Sequence, residues 1–144
     1  GCMTAITLTL PTIEQAHAVK AALDLYMRMG LGQFDELAHL ARCDELKHTN
    51  RELTPEEAEE FRDLTVQMRS LMGHENGASF GVGSKRVSIT AHRCYEAYKV
   101  LAQALAVARN PSPSGFKGVD YDGLIVRYTQ DPAPTASATS KGST

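Results

Sequence analysis

Three groups of residues have types and spacings that could carry chemistry. On the stretch Glu56, Glu57, Glu59, Glu60 and Asp63, a helical period puts Glu56, Glu59, Glu60 and Asp63 on one side, and carboxylate oxygens suit Mg²⁺. Acidic first turns also arise simply because they complement a helix dipole. In residues 73–87, GHENGASFGVGSKRV, glycines let backbone amides approach a ligand, and Lys85 and Arg86 arrive just before a predicted helix start. That is the physics of a phosphate or carboxylate site, and equally of a flexible connection that needs glycine. Asp120-Tyr-Asp122, set between Gly118 and Gly123, offers two acceptors around an aromatic ring that could stack on a base; Asp and Gly also form ordinary tight turns.

Other chemistries fit less well. The P-loop spacing fails, because Gly77 and Gly83 are six apart, Ser84 precedes Lys85 and a helix stands where a strand is required. A dinucleotide fingerprint lacks its strand as well. Cys43, His48, His92 and Cys94 are zinc-ligand types, yet their spacings are not those of tight zinc sites, and His92 and Cys94 point about 200° apart on a helix. His74-Glu75 lacks the second histidine of a zinc protease, and no Gly-x-Ser-x-Gly elbow occurs.

The elements that would position these groups read clearly at their starts. Residues 4–10 alternate, with Ile6, Leu8 and Leu10 on one face, which predicts a half-buried strand ended by Pro11. Thr12 and Gln15 form a capping-box pair, and the helix they open closes at Gly30 and Gly32. A second helix is predicted from Gln33 to about Lys47. Thr54-Pro-Glu-Glu57 opens a third, to about Met72, with Phe61, Leu64, Met68, Leu71 and Met72 expected against the core. Ser88 or Thr90 caps a fourth, to about Arg109, which Asn110-Pro-Ser-Pro-Ser-Gly115 ends. Residues 124–129 alternate again, and the natural partner is the N-terminal strand.

Composition bounds the rest. The 144 residues, 42% apolar and 22% charged, fit one domain with a core. Residues 1–72 carry 12 acids and 7 bases, a balance of −5, while residues 73–144 carry 5 acids and 8 bases, a balance of +3. The net −2 argues against a nucleic-acid coat, and any anionic ligand is expected on the second half. Three scattered cysteines suit a reducing compartment, so a cytoplasmic location is expected. No apolar run approaches the roughly 18 residues of a membrane span, and no membrane partner is expected. Gly1-Cys2 ahead of Met3 reads as a cloning remnant, residues 4–130 as one domain, and residues 131–144, rich in Pro, Ala, Ser, Thr and Gly, as a disordered tail.

Two resemblances add context. Glu60-Phe-Arg-Asp63 is similar to the Glu-x-x-Asp helix of the MazG-type nucleotide pyrophosphohydrolases. The upstream element offers only Gln33-Phe-Asp-Glu36, with glutamine at a ligand position, so half of the implied metal cage is missing. Taken together, Leu31-Gly-Gln-Phe34, Ser79-Phe-Gly-Val-Gly83, Tyr95-Glu-Ala-Tyr-Lys-Val-Leu101 and Val119-Asp-Tyr-Asp-Gly123 resemble a group of small proteins of tailed phages and prophages. That resemblance implies a small accessory protein in a bacterial cytoplasm and brings no catalytic motif.

The combined expectation is an α+β domain, four helices packed on a small antiparallel sheet formed by the N- and C-terminal strands, assembled as a homo-oligomer. The favoured function is non-enzymatic binding of an anionic, nucleotide-like small molecule, a possible sequestration of a host signal, at Ser79, Phe80, Gly81, Gly83, Ser84, Lys85, Arg86, Asp120, Tyr121 and Asp122. One alternative is a host-protein inhibitor acting through a helix face. The other is Mg²⁺-dependent nucleotide hydrolysis on Glu56, Glu59, Glu60 and Asp63, the only case that calls for a cofactor.

Overall fold

A computed structural model describes residues 4–43, 45, 46, 51–74, 80–115 and 117–139. Four helices form: α1 (Ile13–Gly30), α2 (Asp35–Arg42), α3 (Pro55–Leu71) and α4 (Ile89–Arg109), followed by a short 3-10 turn over Val119–Asp122. Their starts follow local chemistry. The amide of Gln15 donates to Thr12 Oγ1, and the Thr12 amide donates back to Gln15 Oε1, both at 3.0 Å. At α3, the Glu57 amide donates to Thr54 Oγ1 (3.1 Å) and the Thr54 amide to Glu57 Oε1 (3.0 Å), with Pro55 at the first helical position. The Ala91 amide donates to Ser88 Oγ (3.1 Å), which makes Ser88 the cap of α4. The second helix is shorter than expected, ending at Arg42; its predicted end near Lys47 lies outside the described residues.

The expected sheet does not form, and the fold is helical rather than α+β. Among the described residues there is no strand. Residues 4–10 have no regular secondary structure and expose Ile6 (91%) and Leu8, while Ile125 and Val126 are exposed in the other segment. The reason is visible in the hydrogen bonds. The amides of Tyr128 and Thr129, donors that a strand would have offered to residues 4–10, go instead to the Glu96 carboxylate at 2.7 and 3.0 Å. Alternation selects a face; it does not supply a partner, and a pair of strands alone is marginal in water.

The chain divides into two compact units, one of Gly1–Leu23 with Glu96–Thr144 and one of Asp24–Tyr95. In the second unit Leu31, Val87 and Ala91 are buried together, with Met27, Phe80 and Val82 packed against them. Small residues permit this closeness: a Cβ on Gly30 would stand 2.6 Å from that of Ala91. Helices α2 and α3 pack on each other. Buried Phe34 and Ala41 mark the inner side of the α2 region and buried Thr65 that of α3, and Arg69 reaches Asp35 at 3.5 Å. Thr65 satisfies its hydroxyl by donating to the Arg62 carbonyl at 2.7 Å.

Here α3 departs from its expected orientation. Phe61 is half-buried, but Leu64, Met68, Leu71 and Met72 are exposed, by 51, 41, 86 and 69%. The face turned inward carries Ala58, Phe61, Thr65 and Arg69, one row at helical spacing. In the first unit the buried apolar residues are Ala16, Ala102 and Leu105. Residues 130–139 have no regular secondary structure, and Asp131 is tied back by its amide to Thr129 Oγ1 at 3.3 Å.

Candidate functional site

Beyond Gly73 and His74, the described part of the glycine-rich loop, residues 80–87, is a run of tight turns. The Phe80 amide donates to the Leu31 carbonyl (3.0 Å), that of Ser84 to Gly81 (2.9 Å) and that of Val87 to Ser84 (3.2 Å). The Arg86 amide donates to Ser84 Oγ at 3.2 Å. Four amides that could have faced an anion are thus bonded within the chain, and Val87 is a buried anchor. A Cβ on Gly81 would meet nothing within 4 Å, so this chain itself imposes no close approach there. Lys85 and Arg86 are exposed, with the Arg86 guanidinium 5.3 Å from the centre of the Phe80 ring. Gly83 is exposed too, and Ser79 lies outside the described residues.

The turn at Asp120, Tyr121 and Asp122 belongs to the first unit, where Asp120 and Tyr121, but not Asp122, line a cleft of about 360 Å³. His17 and Lys20 of α1 and Arg109 of α4 bring cationic or titratable groups to its walls; Ala102, Leu105 and Ala106 form its apolar side. Lys20 Nζ is 3.7 Å from Asp120 Oδ2 and 5.7 Å from the centre of the Tyr98 ring. Tyr121 has its own task. Its hydroxyl reaches the carbonyls of Ala106 (3.3 Å) and Asn110 (3.0 Å) at the end of α4, and its carbonyl accepts from Gln103 Nε2 at 2.9 Å. Asp122 is exposed. The Tyr121→Phe variant should lose about 1 kcal/mol in a urea melt, the usual net worth of one hydroxyl hydrogen bond, while keeping its helical circular dichroism.

The acidic set remains on the solvent side of α3. Pro55, Glu56, Glu59, Glu60 and Asp63 border an open depression of about 430 Å³, and the four acids are exposed. Among the described residues no group of three or more His, Cys, Asp or Glu side chains is arranged to hold a metal ion. Gln33, which stands at the ligand position of the pyrophosphohydrolase pattern, accepts a hydrogen bond from Arg28 at 3.0 Å. Glu57 is drawn to Arg51, at 2.5 and 2.8 Å; that contact and the Thr54 amide hold its carboxyl down to about 2. Of the zinc-ligand types, His92 Nε2 donates to the Val82 carbonyl at 2.6 Å, Cys43 lies 3.7 Å from His39 Nε2, burial raises the Cys94 thiol, and His48 lies outside the described residues.

Sequence reasoning missed the most heavily bonded side chain. Glu96, 2% exposed, accepts from the amides of Tyr128 and Thr129, from Thr129 Oγ1 at 2.7 Å, and pairs with Arg127 Nε at 3.2 Å. Burial alone would push its carboxyl up, but the bonds from Thr129, Arg127 and Tyr128 together hold it down to about 2. No periodic signal links a helical glutamate to donors some 30 residues downstream. His17, Lys20 and Arg109 were missed for the same reason, since only tertiary structure brings them to one cleft.

No family model matches the chain, and neither a curated protein nor a solved structure shows significant similarity to it. Among the described residues no helix is long and apolar enough to cross a membrane.

Proposed function

We propose that the protein acts by assembling with protein surfaces, in the first place with copies of itself, and that the outer face of α3 is the contact. The observation that carries this is the row Leu64, Met68, Leu71 and Met72, exposed along the C-terminal half of α3 and its cap. The balance of the whole chain supports it. Fourteen large apolar side chains are exposed among the described residues, against eight buried hydrophobic ones, of which four are alanines. A chain that buries so few large side chains gains from covering the others, and identical subunits offer the same face twice. The segment with exposed Ile6 and Leu8 is a second apolar surface of the same kind.

The resemblance to small phage proteins fits an accessory role of this sort, and the free Cys43 and Cys94 suit a reducing bacterial cytoplasm as its setting. A second copy is the occupant argued here; a host protein on the same face is the other outcome of the test. Light scattering behind size exclusion should show wild type as a dimer or larger at about 100 μM, well above the dissociation constant of a modest interface. Met68→Glu with Leu71→Glu should be monomeric with unchanged helicity, because both positions are solvent-facing in the single chain. A monomeric wild type at that concentration would remove self-association and leave the host-protein alternative.

A further inference from the structure

We infer that the cleft of the first unit is a binding site for a phosphomonoester carrying a flat apolar body, of the nucleoside monophosphate class. This site is built from residues of the first unit alone and does not rest on the proposed assembly.

Lys20 supplies the main observation. Its side chain is 22% exposed, yet its closest acidic partner among the described residues is Asp120 at 3.7 Å, beyond the 2.7–3.2 Å of a formed N–H···O bond. An ammonium group has three donors, and a half-buried one held by a loose ion pair and a ring face retains capacity for a stronger acceptor. His17 on the same helix and Arg109 on α4 border the same space, so two fixed cations and one titratable ring face a single carboxylate. A phosphate would satisfy that imbalance, with Arg109 able to grip two of its oxygens.

The fold also removes an obstacle. The C-terminal end of α4 borders the cleft, and its free carbonyls would repel an anion. Tyr121 shares its one hydroxyl proton between the carbonyl of Asn110, just past the helix, and that of Ala106, which also accepts from the Asn110 amide; this blunts part of that repulsion. Ala102, Leu105 and Ala106 line the cleft from the same helix as Arg109; the first two are almost fully buried, so a flat body would rest on the half-buried Ala106 and Tyr121. The volume of about 360 Å³ lies at the small end of ligand pockets, which favours a mononucleotide over a dinucleotide.

Isothermal titration of the full chain with adenosine 5′-monophosphate, adenosine and inorganic phosphate tests this. Saturable binding of the monophosphate is expected, weakened at least about tenfold in Lys20→Gln and in Arg109→Gln, the loss of one charge-assisted bond each. Asp120→Asn should instead tighten binding, because it frees Lys20 from its competitor; a merely damaged fold would not do so. Circular dichroism of each variant confirms that it is folded. The proposal is overturned if the monophosphate does not bind, if adenosine binds equally well, if phosphate alone binds as tightly, or if both cation variants bind like wild type.

Discussion

Replacing Glu96 by alanine is expected to destabilise the protein by about 3 kcal/mol at pH 7 and to release residues 124–131 to trypsin at Arg127. The size follows from the bonds that hold the carboxylate. The carboxyl titrates at about 2 in the folded chain against an ordinary 4.5, and a shift of that extent corresponds to roughly 3 kcal/mol of preference for the folded, charged form. That preference is carried by two amides, one hydroxyl and one guanidinium, all of which lose their acceptor at once in the alanine variant. Because those donors regain water when the segment lifts away, the cost is that of undocking and not that of orphaned buried groups. Glu96→Gln keeps the oxygen acceptor without the charge and should fall between.

The same carboxylate makes a pH prediction with a definite sign. Its folded value lies below the unfolded one, so the unfolded chain binds more protons between about 2 and 4.5, and acid favours unfolding. The stabilisation is fully present above about pH 5 and disappears as the pH falls toward 2. Urea midpoints of wild type and Glu96→Gln should therefore differ at pH 7, and the gap should narrow as the pH falls below about 4.5 and close only below about 2. A gap that stays constant with pH would show that the charge plays no part.

Gly32→Ala should be the other severe substitution, at about 3 kcal/mol, made of two separable costs. Gly32 has φ +81, where an L residue loses about 1 kcal/mol or more. A methyl group there would also overlap the His74 imidazole. That ring cannot move freely: its centroid is 4.1 Å from that of Phe80, and the Phe80 amide is bonded to the Leu31 carbonyl beside the buried cluster. Gly73→Ala provides the control, since its φ is +88 but a Cβ would meet nothing within 4 Å. It should show only the backbone cost of about 1 kcal/mol, and Gly32→Ala with His74→Ala should recover part of the steric share. Equal melts for Gly32→Ala and Gly73→Ala would discard the steric term.

What could be read from the chain was what local contacts decide. Caps at Thr12, Thr54 and Ser88 act over three residues, and the structure uses each of them as the sequence suggests. The breaks at Gly30–Gly32 and Asn110 are equally local. Periodicity, by contrast, reports that a face is apolar and not what covers it. Leu64, Met68, Leu71 and Met72 look like core residues on that ground alone, and Ile6, Leu8, Ile125 and Val126 look like a sheet. In both cases the described residues leave the face exposed. Glu96 explains the lost sheet, yet its bonds span 32 and 33 residues and leave no trace in spacing. Asp120 and Tyr121 line the cleft of the first unit, and its cations come from α1 and α4, which local sequence cannot bring together.

The capped start of α3 bears on how a partner would meet it. Thr54, Glu57 and Arg51 fix the first turn, and Thr65 and Arg69 hold the middle, so the outer face is an ordered helix before anything docks. A segment that folds only on contact surrenders backbone freedom at that moment, whereas this one has already lost it during folding. Association through it should accordingly behave as rigid docking, with little gain in helical signal on complex formation and a rate set by diffusion and orientation rather than by a coil becoming ordered.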